Sequence, residues 1–396
     1  MTEQDFIHKR FSLAVRQFSK FFKISLSKMF VHFFHLIKRF AFKFLNLIFS
    51  IPKYMRYQPK VMDWNTLHVY GEHECQSSEG GKDLHQYLIG CEKNPGHTQF
   101  IPVHLFSLHH LPEDYRDIDL YDMIMAEAQL TVRVDVKIIS PNRPQFWPGT
   151  EQPYPFFKGR GKKKKRFGSG EIDVYKYVNG HGYDGHGSRH DIDGNPYKGD
   201  DHSCPCKQCR ESKTPSDVWW VIIVRTATHV VFDAVEARQT SLRLFHDKED
   251  SPTTILNGFQ IGNANVSHDK CSLSLVTWDV IGAKLFKMVE CLYAKTSRVV
   301  LKYRKRSSEK LNFIVSHPHG CSKQVSLGRW VVNEKVSSYN NRYDTTRLTY
   351  TTCTCPGSSG ASVQCVGVAN SHYHSGALSG GRNVSGAGFY SCKNLL

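Results

Sequence analysis

Residues 351–365 read TTCTCPGSSGASVQC. A proline and two glycines interrupt threonine, cysteine and valine residues that otherwise suit strands. Such a turn has two uses. It can simply join two strands. It can also hold Ser359 ready to attack, because glycine lets the backbone bend without a Cβ clash and brings N–H groups close to a reacting carbonyl. In the second use, the amides of Gly357 and Ser359 would face the developing oxyanion.

A serine hydroxyl is a weak nucleophile. It needs an imidazole to take its proton and a carboxylate to fix the imidazole tautomer. Both residue types occur upstream, each beside a strand-like run. TATHVVFD places His229 after VWWVIIVR. SHDKCSLSLVTWD places Asp269 just before an apolar run, with Asp279 as the substitute. From Phe167 onward short strand-like stretches recur, among them EIDVYKYV, TSLRLFH, LNFIVS and QVSLGRWVV, separated by polar or glycine-rich turns. One short helix is expected near GAKLFKMVECL. Many short strands over such a length point to a sandwich or barrels rather than to alternating strands and helices.

The order His, Asp, Ser in an all-β chain is that of the chymotrypsin class. Five landmarks make residues 167–396 resemble a trypsin-like serine peptidase of the HtrA/DegP type. They are GSGEI at Gly168–Ile172, TATHVV at Thr226–Val231, Asp269, SHPHGCSKQVSLG at Ser316–Gly328, and PGSSGASV at Pro356–Val363. GAGFY at Gly386–Tyr390 is similar to the family's closing barrel strand. The resemblance implies a mainly β, trypsin-like double six-stranded β-barrel. It implies a serine endopeptidase with catalytic His229, Asp269 and Ser359 and an oxyanion hole at Gly357 and Ser359. A protein or peptide would be the substrate, and the reaction would need no cofactor. ANSHYHSG at Ala369–Gly376 is placed to line the substrate side-chain pocket, though its polarity names no preferred residue. Ser358 departs from the family, standing where secreted trypsins carry an aspartate. A catalytically silent barrel that binds partners is the alternative.

The remainder divides into a basic aromatic leader at 1–61, a small α+β region at 62–139, and a Pro/Gly/Lys-rich linker at 140–166. PEDYRDIDLYDMIMAEAQ reads as a helix, and LTVRVDVKI as a half-buried strand. The charge run KKKKR closes the linker and reads as a solvated loop. The chain has 396 residues and a formal charge of +16, of which residues 1–62 supply twelve Lys/Arg against Glu3 and Asp5. The basicity is therefore local, and a nucleic-acid partner is not expected. The leader suits an anionic membrane surface, an organelle-targeting segment, or a start upstream of a working initiator at Met62. Charges at Lys38, Arg39 and Lys43 break its apolar stretch, so no secretory signal is read and an intracellular location is expected. The twelve cysteines then read as reduced thiols. HSCPCKQC gives two readings: a structural zinc held by His202, Cys204, Cys206 and Cys209, or a reduced surface loop.

Overall fold

The computed structural model describes residues 70–78, 83–191, 195–199, 202–340 and 342–391. All of them lie in one compact unit that begins at Val61. The expectations for the leader fall outside the described residues. Among these residues no helix is long and apolar enough to cross a membrane.

The strands are, in chain order, β1 (Glu72–His73), β2 (Gln76–Ser77), β3 (Ile101–Pro102), β4 (Thr131–Ile138), β5 (Lys163–Val178), β6 (His181–Tyr183), β7 (Val218–Thr226), β8 (Thr240–Leu244), β9 (Thr254–Leu256), β10 (Gln260–Asn265), β11 (Lys270–Thr277), β12 (Leu311–Ser316), β13 (Gln324–Ser338), β14 (Tyr343–Tyr350), β15 (Ser362–Cys365), β16 (Asn370–Leu378), β17 (Arg382–Ser385) and β18 (Gly388–Ser391). The two longer helices are α1 (Ile118–Leu130) and α2 (Val280–Tyr303).

The architecture is mainly β, in two sheets of nine strands each. The C-terminal sheet contains a closed six-stranded barrel. Its ring runs β12–β13–β14–β18–β16–β15 and returns to β12, every pairing antiparallel. Ile314, Leu348, Tyr350, Ala361, Val363 and Cys365 form a core cluster on its strands. The N-terminal sheet follows the path β10–β11–β7–β5–β4–β8–β9, with β2 and β6 also on β5. Its inward residues, such as Ile172, Val174, Ile222, Val224 and Leu273, are almost wholly buried and join the main core.

Three sequence expectations change in the folded chain. First, β4 is buried on both faces. Arg133 and Asp135 are closed off from water, and they satisfy each other through contacts of 2.7 and 3.0 Å while Arg133 also donates to the Gly320 carbonyl. Second, β4 pairs along β5, so the stretches 62–139 and 167–396 share one sheet. The intervening stretch 140–166 belongs to the same structure. Its charge run enters β5, and its last residue Arg166 is fully buried. Third, the expected short helix is a 24-residue helix, α2. Apolar residues continue at Val299 and Tyr303 on its buried face, so the helical pattern extends past the segment first picked out. It lies against α1, with Lys295, Arg298 and Lys302 paired to Asp122, Asp119 and Asp117.

Behind the turn after β7 lies a buried ionic cluster. Glu236 accepts from Arg143 at 2.7 and 2.8 Å and from Arg166 at 2.6 Å. The same guanidinium groups donate to the His229 and Val230 carbonyls. All three side chains are fully buried. Removing one member of such a set leaves charge without compensation. Glu236→Gln is therefore expected to cost ~3–5 kcal/mol, measured as a lowered denaturant midpoint against wild type.

Candidate active site

His229 sits in the turn that follows β7, held by Val230 N–H donating to the Ala227 carbonyl at 3.0 Å. Asp269 sits in the turn just before β11, with a left-handed φ of 47°. Aspartate is one of the few residues that tolerates this region. Ser359 lies in the loop between β14 and β15, and its position depends on Gly357, whose φ is 103°. A Cβ there would stand 2.3 Å from the His317 carbonyl oxygen, so no larger residue fits without moving that loop. Ser169, from the GSGEI landmark, ties the same loop down. Its hydroxyl donates to the Gly357 carbonyl at 2.8 Å and accepts from His317 N–H at 2.9 Å.

Folding brings the three predicted side chains together. His229 Nδ1 is 2.8 Å from Asp269 Oδ2, and His229 Nε2 is 2.7 Å from Ser359 Oγ. Asp269 Oδ1 also accepts the His229 backbone N–H at 3.1 Å, and Ser375 donates its hydroxyl to Oδ2. Burial pushes the Asp269 pKa up, but these donors outweigh it and hold the carboxyl below its ordinary range. An ionised Asp269 accepts from Nδ1–H, which leaves Nε2 as the acceptor for the Ser359 hydroxyl. Asp279 takes no part. Its side chain accepts the Ile281 and Gly282 N–H groups and caps α2.

Ser359 and His229 have no exposed surface, because the chain's own residues 71–77 cross over them. β1 pairs antiparallel with β16, Glu72 opposite Ala377 and His73 opposite Gly376. β2 pairs antiparallel with β5, Gln76 opposite Phe167. Between these two short ladders the Glu74 carbonyl oxygen accepts from Gly357 N–H at 2.6 Å and Ser359 N–H at 3.2 Å. Glu74 N–H donates to Ser359 Oγ at 3.1 Å. The Glu74 side chain enters a pocket between Lys93 Nζ at 2.6 Å, Thr354 Oγ1 at 2.5 Å and His374 Nε2 at 2.7 Å. His374 lies in the ANSHYHSG stretch expected to line a side-chain pocket. Its Nδ1 is 2.6 Å from the Tyr350 hydroxyl, which leaves Nε2–H to donate to Glu74.

Sequence reading missed Glu74, Lys93, Thr354 and the segment around them. GEHECQS carries no periodicity and no motif, and its role rests on contacts with residues nearly 300 positions away. Among the described residues three sets of metal-type ligands also stand close, one of them His85, Glu249 and Cys321. Cys204, Cys206 and Cys209 converge within 4.8 Å of one another. The expected fourth ligand, His202, does not join them and faces the Asn179 carbonyl instead, Nδ1 at 3.4 Å. Cys204 and Cys209 are buried with Trp219, so this loop has an apolar anchor of its own. Another set, Cys91, His97, His319 and Cys355, also lies within 4.8 Å. It escaped notice because its members are spread across more than 260 residues.

No family model matches the chain, and no curated protein matches it. Solved structures similar to it include the HtrA-type protease AlgW with decapeptide, at 14% identity and a TM-score of 0.31, covering 68% of this chain and 63% of that one. The Rv3671c protease from M. tuberculosis in its active form is 10% identical, with a TM-score of 0.30, and the match covers 68% of this chain and 82% of that one. Deg5 is 8% identical, with a TM-score of 0.31, covering 70% and 91%. The chain thus spans less than two thirds of the length of AlgW. Likeness at this level assigns neither activity nor residue roles.

The charge on Glu74 makes its docking pH-dependent. Burial raises its pKa, but the donors His374 and Lys93 outweigh this and lower it from 4.5 to about 2. A depressed carboxyl stabilises the fold above its unfolded value, and that contribution is lost as pH falls from 4.5 towards about 2. In a Ser359→Ala background, the stability advantage over the double variant carrying Glu74→Gln should therefore shrink in that window. Denaturant titrations of both proteins across the window check it.

Proposed function

We propose that the chain is a serine endopeptidase that hydrolyses peptide bonds through an acyl-enzyme. The observation that carries this reading is the unbroken relay Asp269–His229–Ser359, with contacts of 2.8 and 2.7 Å, ending beside two amides that already hold a peptide carbonyl. Ser359 Oγ attacks the carbonyl carbon while His229 Nε2 takes its proton. The oxygen gains negative charge and is met by the N–H groups of Gly357 and Ser359. His229, now protonated and held by Asp269, gives its proton to the departing amine. A water molecule then attacks the acyl ester with His229 as base, and Ser359 is regenerated. The N–H groups are fixed in advance by the Gly357 turn, so they need no reorganisation as charge develops.

The serine is covered by residues 71–77, so its reactivity is best measured with the cleft opened. Glu74→Lys places a second cation against Lys93 in a pocket whose other members, Thr354 and His374, also donate, and expels the segment. That variant should react with a fluorophosphonate probe at Ser359, whereas the double variant with Ser359→Ala should not. Asp269→Asn should slow labelling by roughly 10³–10⁴-fold, because the wrong imidazole tautomer then faces the serine. Equal labelling with and without Ser359 would remove the nucleophile assignment.

A further inference from the structure

The stretch over the catalytic groups lies as a substrate lies, and this inference rests on the peptidase reading above. A bound peptide must offer one carbonyl to the oxyanion donors, lay its backbone along a strand edge, and place one side chain in a pocket. Residues 71–77 do all three. The Glu74 carbonyl accepts from both loop amides. The backbone ahead of it runs along β16, and the backbone after it runs along β5, so the segment bridges the two sheets with the Glu74–Cys75 bond at the crossing. Cys75 is buried there, its thiol 3.3 Å from the Phe167 carbonyl. The side-chain pocket is lined by donors. Lys93 Nζ, Thr354 Oγ1 and His374 Nε2 all point at the carboxylate, and Tyr350 behind His374 fixes the donating tautomer. The amide of a glutamine would set its NH₂ against one of these donors, and an alkyl side chain would leave the buried Thr354 hydroxyl and His374 Nε2–H without this acceptor and Lys93 without its counter-charge.

We infer that the enzyme cleaves after glutamate and that Glu74–Cys75 is a bond it cuts in its own chain. Ser359 Oγ bonds to the Glu74 carbonyl carbon. The bond to the Cys75 nitrogen breaks, and His229 supplies the proton that this amine takes. Water then hydrolyses the ester, leaving a carboxylate on Glu74 and a new N-terminus at Cys75. The fragment ending at Glu74 keeps its side chain in the pocket until it dissociates, so the uncut chain and the fresh product are both self-inhibited.

The test follows the full chain after synthesis, by intact mass and N-terminal sequencing. Wild type should yield a product that begins at Cys75, at a rate independent of protein concentration. Ser359→Ala should stay whole. Glu74→Gln should slow the cut at least about tenfold, as expected when a buried donor loses its charged partner. Glu74→Lys, with its cleft open, should cleave peptides with glutamate before the scissile bond at least about 100-fold faster than their alanine counterparts. Thr354→Val should erode that preference more than it erodes probe labelling. If the opened variant reacts with the probe while wild type stays intact or is cut elsewhere, the peptidase reading stands and this inference falls. A rate that rises with concentration overturns the intramolecular cut. If the opened variant neither reacts nor cleaves, the peptidase reading itself fails.

A second inference rests on a separate cluster. Zinc held at about 2.3 Å by thiolates and about 2.0–2.1 Å by imidazoles in a tetrahedron sets its sulfurs about 3.8 Å apart and its nitrogens about 3.4 Å apart. Cys91 and Cys355 Sγ are 3.6 Å apart, His97 and His319 Nε2 are 3.2 Å apart, and Cys355 Sγ is 3.4 Å from His97 Nε2. Supporting contacts suit ligands. Gln76 Oε1 is 2.9 Å from His319 Nδ1, fixing Nε2 as the free donor atom, and Asn94 gives N–H groups to both sulfurs. We propose that these four residues bind one structural zinc ion. The ion would tie the stretch from Cys91 to His97 to the loop that ends in Gly357, two residues beyond Cys355, and so hold the oxyanion donors.

Metal analysis of the full chain purified with zinc should give one tightly held ion that Cys91→Ser and His97→Gln both lose. Cys209→Ser, in the other cysteine cluster, should keep it. Cobalt in its place should show the visible bands of a tetrahedral thiolate site. Zinc that survives Cys91→Ser overturns the assignment. So does a Cys91–Cys355 disulfide in metal-free protein, or a wild type that takes up neither zinc nor cobalt.

Discussion

The contact between His229 and Ser359 spans two separately built sheets. One side chain follows β7 of the N-terminal sheet, and the other precedes β15 of the closed barrel. Neither sheet can form the contact alone, so the geometry depends on how the two meet. Ser169 makes the junction from one side, bonding both the Gly357 carbonyl and the His317 amide. Ser375 makes it from the other, reaching Asp269 across the interface. The glycine at 357 is then fixed by space, since the His317 carbonyl occupies the volume a side chain would need.

The cost of that arrangement is a large amount of buried polarity. Asp269, His229, Ser359, Glu236, Arg143 and Arg166 are all removed from water. Each has partners within hydrogen-bond range, which is the condition under which buried charge is tolerated. The Arg143–Glu236–Arg166 cluster matters to the site because it reaches the His229 and Val230 carbonyls. It fixes the backbone of the turn that carries the imidazole. Stability of the fold and position of the imidazole thus rest on the same ions.

The segment 71–77 links chemistry to chain connectivity. It uses the edges of both sheets, and its glutamate satisfies a pocket of three donors that would otherwise face one another. Lys93 belongs to a stretch of chain that also carries Cys91 and His97, so one excursion supplies a pocket cation and half of a thiol–imidazole cluster. The N-terminal part of the described chain is therefore built into the site and is not an appendage to it.

By itself the sequence determined the local pieces. Alternation predicted β4, strand-like apolar runs predicted β7 and β12, glycine and proline marked the Ser359 turn, and the order of His229, Asp269 and Ser359 named three side chains that folding brings together. Those readings succeed because strand period and turn chemistry are properties of neighbouring residues. Tertiary structure decided the rest. It chose Asp269 over Asp279, because only one stands beside the imidazole while the other caps a helix. It buried Arg166 out of a charge run that reads as solvated, and it merged 62–139 with the sheet beyond it. It left His202 apart from its three cysteines, and it gathered Cys91, His97, His319 and Cys355. It also laid Glu74 over Ser359, since contacts between residues hundreds of positions apart leave no periodic trace in the chain.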